Sequence, residues 1–581
     1  MSMKLIEALE ELRQELPLHS PGLGIDLACG ITPLHFVTFL RAHLRKLFPG
    51  QEVLVRTGIY GDLAGNVERL GDERAATIVV ILEWQDLDPR LGIRRLGGWR
   101  PSQLPDILQT VRLQTGRLAD ALDRIARENT VAVSLPTLPI PPAAFTPGWQ
   151  ASAFESGLRE AVAALSARLA ALTGVRTISS QRLERISPPG SRLDVKSELN
   201  TGFPYTLAHA DALADLTARI LKDPLPKKGL ITDLDDTLWK GILGEVGIDG
   251  IAWDLDHHAQ RHGLYQQLLA SLAEAGTLVA IASKNDPALV EEAFERASLV
   301  LPRQRIFPAE VNWGPKSASV SRILKAWNVG ADSVVFVDDS PLDLAEVKQA
   351  HPEIECRLFS RDDDQAAYRL LEELRDLFGK QLITADDDIR LSSLRAAYSA
   401  AEIKLSRGDS PEQFLQDAGG KLTVNFSRNP ADPRALELIN KTNQFNLNGK
   451  RHTEGSWKQY FSDPAAFLLL ASYADKFGPL GKIAVMAGRQ NGTTVSIDHW
   501  VMSCRAFSRR IEHGLLLHLF EKSGAREADF DFSVTPRNGP IRDFFAGLLE
   551  AVPAERFTIS RRQFDGKRST VYFEIQESAN E

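Results

Sequence analysis

Short apolar runs that end abruptly in polar side chains recur along this chain. In its middle part, three such runs stop at Asp233, at Ser283 and at the pair Asp338 and Asp339. Apolar runs of this length, bounded by turn signals, predict strands that are buried in a parallel sheet. A doubly wound fold places its ligands at the carboxyl ends of such strands, so the polar side chains that end them are candidates for one common site.

The first part of the chain alternates apolar runs with helical stretches. Runs at residues 77–82 and 130–135 are interspersed with stretches of helical periodicity at residues 34–47 and 157–172. Strands that alternate with helices are typical of βαβ units, in which helices cover a parallel sheet. Residues 1–222 are therefore expected to form an α/β domain.

Two further domains are expected after a linker rich in proline and lysine at residues 222–228. The second domain, residues 226–379, contains the runs that end in carboxylates. Residues 239–265 lie between its first strand and the body of the domain, which leaves room for a small flap and for no large cap. Residues 382–575 combine strands and helices again, so the expected fold class is α/β in a chain of three domains.

Composition and charge exclude several classes of function. The chain has 581 residues, and 43% of them are apolar, which is enough for several buried cores. Lys and Arg number 68 against 76 Asp and Glu, and the resulting net charge of −8 gives no general attraction to nucleic acid. No apolar run reaches the length of a membrane span, and the acidic N-terminus is unlike a secretory signal. Three cysteines without metal-ligand spacing indicate a reducing compartment, and a cytoplasmic location is expected.

The segment Asp233-Leu-Asp235-Asp-Thr237 carries the strongest chemical signal. At the end of a buried strand, Asp233 could attack phosphorus and form an aspartyl-phosphate. Asp235 would point back toward the same site, where it could protonate the leaving oxygen and later activate water. Thr237 could hold the turn and a phosphoryl oxygen. The alternative is a surface turn rich in Asp, which caps a helix well.

The other strand ends offer groups that could bind phosphate. Ser283, with Asn285 behind it, could hydrogen-bond a phosphoryl oxygen, although a serine in this position could also serve as a helix N-cap. Lys316 could neutralise charge on the phosphoryl group and on the attacking carboxylate, although a single lysine in a loop is usually solvated. Both interpretations of each residue remain open.

The pair Asp338 and Asp339 indicates a metal site. Like charges a few ångström apart repel, so adjacent carboxylates at a strand end must hold a cation or shift their pKa values. Mg²⁺ is a hard ion that takes one or two carboxylates together with phosphate oxygens and water. Magnesium is therefore the expected cofactor.

In order and spacing, these elements resemble the haloacid dehalogenase (HAD) superfamily of Asp-based phosphotransferases. The resemblance implies a Rossmann-like central domain in which Asp233 is the nucleophile and Asp235 is the acid/base. It also implies that Ser283 and Lys316 bind the phosphate. The residues that it implies as metal ligands are Asp233, Asp235 through its backbone carbonyl, Asp338 and, more directly, Asp339.

A narrower resemblance is to the FkbH-like family. Leu238-Trp is followed by Gly-x-x-Gly-Glu245, and the segments 441–448, 502–507 and 535–540 look like the carboxyl-terminal part of that family. The resemblance implies an enzyme of polyketide biosynthesis that takes 1,3-bisphosphoglycerate, releases phosphate and places the glyceryl unit on the phosphopantetheine thiol of an acyl carrier protein. Two alternatives stay open, namely a phosphatase acting on another small phosphate ester and a non-catalytic scaffold that binds partners.

The resemblance extends to both outer domains. The first domain loosely resembles an SGNH-hydrolase-like domain, but Cys29 stands near the position of the serine nucleophile, so no catalysis is expected there. The third domain resembles the GNAT acyltransferase fold, with Ser and Arg in place of the glycines that hold the pyrophosphate of coenzyme A. Arg505, Arg509 and Arg510 could still contact the phosphate of a carrier's pantetheine arm. The alternative is the basic first turn of an amphipathic helix.

A thiol intermediate is the remaining question. Glyceryl-loading members of the family are expected to pass the acyl group through a cysteine, and the segment before Asp233 has none. Cys504 is the first candidate by family context and Cys29 is the second, although a small buried cysteine is usually inert. Without such an intermediate, the chain could transfer directly from an acyl phosphate to the carrier thiol.

Overall fold

The computed structural model describes residues 3–15, 22–70, 77–96, 98–142, 145–222, 225–296, 298–384, 387, 389–395, 411–427, 432–503, 506–507, 509–549 and 554–578. The chain packs into two compact units. The first consists of Met1–Pro224 and His452–Asp463, and the second of Leu225–Arg451 and Pro464–Glu581. Among the described residues, every helix is too short or too polar to span a bilayer.

The first unit is built on a parallel sheet of five strands in the order β2-β1-β3-β4-β5. The strands are β1 (Gly22–Cys29), β2 (Glu52–Thr57), β3 (Thr77–Ile81), β4 (Thr130–Ser134) and β5 (Val175–Thr177). The helices of eight residues or more are Leu5–Arg13, Leu34–Leu47, Leu104–Ala126, Ala153–Ala170 and Leu207–Lys222. The shorter helices are Leu63–Arg69, Trp84–Leu87, Ser180–Ile186, Val195–Thr201 and Glu454–Tyr460. The α/β sheet predicted for this part of the chain is thus observed.

Each face of this sheet has its own core. Ile78 and Val80 of β3 pack into one cluster with the helices Leu104–Ala126 and Ala153–Ala170. Val79 and Ile81 pack into a second cluster, on the other face. Because successive side chains of a strand point to opposite faces, a strand covered on both sides must be apolar at every position. This explains the uninterrupted apolar run of β3.

The second unit contains a second parallel sheet of five strands, in the order β10-β9-β6-β7-β8. The strands are β6 (Gly229–Thr232), β7 (Leu278–Ser283), β8 (Ile306–Val311), β9 (Val334–Asp338) and β10 (Glu355–Leu358). The helices around them are Leu243–Gly250, Gln260–Glu274, Pro287–Phe294, Lys316–Trp327, Pro341–Ala350 and Asp364–Phe378. Along the chain, β6 is followed by β7 and β8 on one side and by β9 and β10 on the other. The strand order therefore reverses between β6 and β9, and a doubly wound sheet opens its binding crevice at such a point.

The connections after the strands of this sheet are short. The residues between β6 and the helix Gln260–Glu274 hold one helix, Leu243–Gly250, and three residues separate β7 from the helix Pro287–Phe294. A cap domain has no place in either connection, so the carboxyl edge of the sheet carries a small flap, as expected.

The second unit also contains an eight-stranded mixed sheet. Its strands are β11 (Gly420–Ser427), β12 (Phe445–Asn446), β13 (Ala466–Asp475), β14 (Gly478–Asn491), β15 (Thr494–Met502), β16 (Glu527–Phe530), β17 (Phe557–Ser560) and β18 (Phe573–Glu577). The path β17-β16-β15-β14-β13-β11-β18 runs parallel at β15/β16 and β11/β18 and antiparallel elsewhere, and β12 pairs with β15. The accompanying helices are Pro411–Asp417, Pro433–Lys441, Ile511–Ser523, Gly539–Leu548 and Arg561–Lys567. The division into three domains, and the likeness of this sheet to the GNAT fold, remain predictions.

A polar cluster is buried at the carboxyl edge of the first unit's sheet. Glu83 accepts hydrogen bonds from the Tyr205 hydroxyl at 2.8 Å and from Thr137 Oγ1 at 2.6 Å, and Thr137 contacts His209 Nε2 at 2.9 Å. Asp86 lies close to Gly30, where an added Cβ would be 1.7 Å from the Asp86 carboxylate. Burial raises the pKa of Glu83 to about 7 and, with the nearby Glu83 and Glu198, raises that of Asp86 to about 8.

These two carboxyl groups predict a pH-dependent stability of the first unit. Their folded pKa values lie above the values of about 4 to 4.5 that unfolded Asp and Glu have. The folded state therefore holds protons that the unfolded state has lost, so this stabilisation is full below about pH 4 and is lost as the pH rises toward 8. We expect the free energy of unfolding to fall between pH 5 and pH 8, by up to about 1.4 kcal/mol per pH unit for each group.

The substitution Asp86→Asn tests this expectation, because the amide cannot ionise. Urea unfolding, followed by hydrogen exchange of peptides from the first unit, should show a smaller pH dependence in this variant than in the wild type. Asp120→Asn, at an exposed carboxylate that pairs with Arg168, is the matched control. An Asp86→Asn profile parallel to the wild-type profile would contradict the assignment.

Candidate active site

The residues predicted to act together lie at the carboxyl edge of the second unit's sheet, at or next to its reversal point. Asp233 directly follows β6, Asp338 is the last residue of β9, and Ser283 is the last residue of β7. The backbone N–H of Asp233 donates to the carbonyl of Val337 at 3.0 Å, which fixes the ends of β6 and β9 side by side. Because the three strands are parallel, their carboxyl ends lie at one edge.

Lys316 lies at the centre of this edge. It is the first residue of the helix Lys316–Trp327, and its Nζ is 2.9 Å from Asp233 Oδ2 and 2.6 Å from Asp338 Oδ2. A third carboxylate, that of Asp343, lies 3.6 Å from the same nitrogen. Burial alone would lower the pKa of Lys316, but Asp233 and Asp338 outweigh it and raise the pKa. Lys316 is therefore a buried, charged ammonium group rather than a solvated loop lysine.

Asp233, Asp338 and Asp339 could hold a metal ion together. One carboxylate oxygen from each lies within 4.8 Å of the others. Within the described part of the chain, Asp233 Oδ1 is buried and has no hydrogen-bond partner. Buried polar atoms are normally paired, so an unpaired carboxylate oxygen beside two further carboxylates fits a site in which the three carboxylates share one cation. An all-carboxylate donor set of this kind suits Mg²⁺.

Electrostatic crowding within the cluster is visible in its pKa shifts. Burial and the neighbouring Asp233 raise the pKa of Asp338 and also that of Asp339. Burial would likewise raise the pKa of Asp343, but its contacts with Lys284 and Lys316 lower it. The cluster thus holds more negative charge than its lysines neutralise, which favours binding of a divalent cation.

Asp235 is held in a defined orientation next to the nucleophile candidate. Its Oδ1 accepts hydrogen bonds from Trp239 Nε1 at 2.9 Å and from the backbone N–H of Leu243 at 3.2 Å. Its Oδ2 accepts from Asn285 Nδ2 at 2.9 Å. Burial raises the pKa of Asp235 to about 6, a value that suits an acid/base near neutral pH. Asn285 thus orients Asp235, and its predicted contact with phosphate stays a prediction.

The loop between Asp233 and the flap is a tight turn. Asp236 has a φ of 50°, and its Oδ1 accepts a hydrogen bond from the N–H of Gly241 at 2.8 Å. Thr237 is buried; its hydroxyl lies 3.4 Å from Asp339 Oδ1. A left-handed residue is uncommon outside glycine, and it bends the chain back so that Thr237 reaches the carboxylate pair at the end of β9.

A charged pocket of about 380 Å³, whose lining includes three cationic side chains and the carboxylates of Asp236 and Asp362, adjoins the cluster and was missed by the sequence analysis. Arg361 lies 3.5 Å from Asp339 and 3.4 Å from Asp236, and Lys240 and Arg261 line the same pocket. Arg361 follows β10, at the same carboxyl edge as the predicted residues. Its place shortly after the fifth strand of the sheet could have marked Arg361 as a site residue. Arg261 and Lys240 do not follow a strand end, so no such pattern marks them.

Cys29, Arg509 and Arg510, which were predicted as a thiol nucleophile and as carrier contacts, each have other partners in the structure. Cys29 is buried, its Sγ donates to the carbonyl of Ile31 at 3.3 Å, and burial together with Asp86 raises its pKa to about 12, which disfavours a thiolate. Arg509 pairs with Asp475 at 3.1 Å, and Arg510 pairs with Glu412 at 2.6 Å. Cys504 and Arg505, the other two candidates, lie outside the described residues.

Comparisons with known proteins identify the fold. No protein-family model and no curated protein matches the chain. One similar solved structure is the N-terminal part of the protein BF1531 from Bacteroides fragilis, which contains a phosphatase domain complexed with Mg. It is 20% identical, covers 65% of this chain and 100% of its own, and has a TM-score of 0.50. An uncharacterized protein from Corynebacterium glutamicum ATCC 13032 Kitasato is 18% identical, covers 26% of this chain and 98% of its own, and has a TM-score of 0.19, too low to carry an argument.

At this identity the likeness to BF1531 is one of fold. It shows that this chain shares the fold of that structure; the phosphatase role and the superfamily stay predictions. The narrower FkbH-like assignment and the identities of the outer domains stay predictions.

The carboxylate cluster predicts that Mg²⁺ stabilises the folded chain. A ligand that binds only the folded state at a hundred times its Kd adds about 2.7 kcal/mol of stability. We expect Asp339→Asn to weaken Mg²⁺ binding by about tenfold or more in calorimetric titration, with a correspondingly smaller rise in melting temperature. Glu310→Gln, which removes a carboxylate that pairs with Arg322 outside the cluster, is the control. Equal Mg²⁺ affinity in Asp339→Asn and wild type would exclude Asp339 as a ligand.

Proposed function

We propose that this chain is a Mg²⁺-dependent phosphotransferase in which Asp233 is the nucleophile. The observation that carries the proposal is the arrangement at the end of β6: one oxygen of Asp233 is paired with Lys316, while the other is buried without a partner beside Asp338 and Asp339. A structural cluster would satisfy that oxygen, whereas a phosphoryl-transfer site leaves it for the metal or the substrate.

The reaction that this geometry supports has two displacements at phosphorus. A carboxylate oxygen of Asp233 attacks the phosphorus atom, the bond from phosphorus to the leaving oxygen breaks, and Asp235 gives that oxygen its proton. Asp235, now ionised, takes a proton from water, whose oxygen attacks the aspartyl-phosphate and releases phosphate, so Asp233 is regenerated. Lys316 neutralises Asp233 and keeps it oriented. Bound Mg²⁺, held by Asp233 and Asp339, would supply charge neutralisation for the phosphoryl oxygens.

The solved relative supports magnesium as the cofactor. The phosphatase domain of BF1531 was crystallised in complex with Mg. The same ion suits the three carboxylates that meet at the reversal point of this chain's sheet.

The pocket beside the cluster supports a substrate with a second anionic group. Arg361, Lys240 and Arg261 give this pocket three cationic side chains against the two carboxylates of Asp236 and Asp362, which leaves a surplus of one positive charge. The substrate that we propose is 1,3-bisphosphoglycerate, which carries a phosphate ester at one end and an acyl phosphate at the other. The small flap leaves the edge of the sheet open to a macromolecular partner, and we propose an acyl carrier protein for that role.

In the proposed transfer, two different bonds to phosphate break. Asp233 cleaves the phosphate ester by attack at phosphorus. The phosphopantetheine thiol of the carrier, as its thiolate, attacks the acyl-phosphate carbon, the bond from that carbon to oxygen breaks, and the second phosphate leaves. The products are glyceryl-carrier thioester and two phosphates. The pathway that we propose is the biosynthesis of polyketides that use glyceryl-derived units.

A phosphatase that acts on another small phosphate ester is the second candidate. The burial and raised pKa of Cys29 favour it, because they remove one of the thiols that could carry an acyl intermediate. This candidate shares every step at Asp233 with the first and differs only in the fate of the organic product.

The phosphoryl step is tested by Asp233→Asn. With Mg²⁺ and 1,3-bisphosphoglycerate or para-nitrophenyl phosphate, we expect phosphate release to fall by about a thousandfold or more, because the amide cannot attack phosphorus. Asp376→Asn, at an exposed position of the helix Asp364–Phe378, should keep wild-type activity. If neither the wild type nor Asp233→Asn releases phosphate although both fold normally, the non-catalytic scaffold is the function that remains.

The transfer step is tested by the mass of the carrier. Incubation with Mg²⁺, 1,3-bisphosphoglycerate and a holo carrier protein should add one glyceryl group to the carrier with the wild-type chain and none with Asp233→Asn. Phosphate release with an unchanged carrier would contradict the transfer and leave the phosphatase. Full loading by both Cys504→Ser and Cys29→Ser would exclude each of these thiols as an essential intermediate.

A further inference from the structure

Arg361 connects the carboxylate cluster to the charged pocket beside it. It comes after β10, and its Nη1 lies 3.5 Å from Asp339 Oδ2 and 3.4 Å from Asp236 Oδ2. Asp339 is one of the three carboxylates that could hold a metal ion, whereas Asp236 and Arg361 both line the pocket. One guanidinium group is therefore shared between the place that suits a cation and the place that suits an anion.

The contacts of Arg361 with these carboxylates are loose. Charge-assisted hydrogen bonds between a cation and a carboxylate are normally about 2.7–2.9 Å long. Lys316 contacts Asp233 at 2.9 Å and is buried, whereas the Arg361 side chain is 54% exposed and stays at the longer distances given above. An exposed ion pair of this kind contributes little to stability. Another anion could therefore take the guanidinium group of Arg361 at small cost.

The pocket has a small surplus of positive charge. Its charged side chains are the cations Arg361, Lys240 and Arg261 and the carboxylates Asp236 and Asp362. His262 also lines the pocket, but burial lowers the pKa of its imidazole to about 4, so it is neutral near pH 7. The surplus is thus one positive charge, and it is partly neutralised as long as Arg361 pairs with Asp339.

Arg261 gives a second indication of an anion in this pocket. Its Nη1 pairs with Asp364, a side chain that is 81% exposed. Its Nε is buried and has no hydrogen-bond partner among the residues that the structure describes. Because buried N–H groups are normally paired, a guanidinium group with a spare donor on the lining fits an anionic ligand.

A cation in the cluster and an anion in the pocket should favour each other. If Asp339 binds a divalent cation, that cation and Arg361 repel each other, and Arg361 becomes available to an anion. If an anion engages Arg361 first, Asp339 loses a competing positive neighbour and binds the cation more strongly. Such coupling is reciprocal, because each ligand must change the affinity for the other by the same factor.

We propose that Arg361 selects substrates with a second anionic group, because it exchanges its carboxylate partner Asp339 for that group. The exchange makes Asp339 available to Mg²⁺, so the metal and the substrate bind cooperatively. A substrate with a single anionic group leaves Arg361 paired with Asp339 and gains no such cooperativity. The choice of Mg²⁺ and of a substrate with two anionic groups rests on the proposed function, whereas the shared position of Arg361 does not.

Calorimetric titration of the full chain with Mg²⁺, without and with a saturating phosphonate, tests the proposal. 3-Phosphonopropionate carries a phosphonate and a carboxylate at the two ends of a short chain. Propylphosphonate lacks the carboxylate, and neither compound has a phosphate ester that the chain could hydrolyse. For the wild type, we expect 3-phosphonopropionate to strengthen Mg²⁺ binding about tenfold more than propylphosphonate does, a factor typical of coupled sites.

The variant Arg361→Gln should bind Mg²⁺ more tightly than the wild type when no phosphonate is present. Because a competing positive charge is removed, we expect a gain of about threefold or more in Mg²⁺ affinity. The two phosphonates should then affect this affinity about equally. Arg361→Lys keeps the charge and should retain the wild-type Mg²⁺ affinity. Arg369→Gln, at an arginine of the same unit that is 53% exposed and lies 3.9 Å from Asp363, is the matched control.

Equal or weaker Mg²⁺ binding by Arg361→Gln in the absence of phosphonate would overturn the proposal. An equal effect of the two phosphonates on the wild type would also overturn it. Both readouts are equilibrium affinities, so they do not depend on phosphate release. If Asp233→Asn releases phosphate normally while Arg361 shows the expected coupling, the nucleophile is wrong and this proposal stands. If Asp233→Asn loses phosphate release while the two phosphonates act alike on the wild type, the nucleophile stands and this proposal is wrong.

Discussion

A single buried ammonium group holds the phosphoryl site together. Lys316 contacts Asp233 and Asp338, and it approaches Asp343. These carboxylates come from the ends of two neighbouring strands and from the start of a helix. Burial of like charges costs several kcal/mol per ion unless a counter-charge lies within contact distance. The close approach of these three elements therefore depends on the charge of Lys316.

The same interaction determines what remains available for chemistry. Lys316 engages one oxygen of Asp233 and one of Asp338, and Ser340 donates its backbone N–H to the other oxygen of Asp338. The second oxygen of Asp233 is left without a partner among the described residues. The carboxylate oxygens that stabilise the site are thus distinct from the oxygen that faces the reaction. The cluster keeps one carboxylate oxygen of Asp233 available for a cation or for the substrate.

Local patterns predicted the parallel sheet and the residues at its carboxyl edge, because both are encoded within single segments. Three of the five strands, β6, β7 and β9, are apolar runs, and the polar residue at the end of each run marks the edge, whereas β8 and β10 carry charged residues and were not predicted. The partners that arrive from distant segments could not be predicted in this way: Arg361 reaches Asp339 after the fifth strand, and Asn285 donates a hydrogen bond to Asp235.

The alternation of side chains along β9 links packing to chemistry. Val335 and Val337 pack into the core on one face of the sheet, Val334 and Phe336 into the core on the other, and the carboxylate pair follows immediately. Loss or gain of one residue within this strand would exchange the two cores and displace the carboxylates at the same time. Lineages of this protein should therefore accept substitutions in β9 far more readily than changes of its length, and length variation should accumulate in the flap.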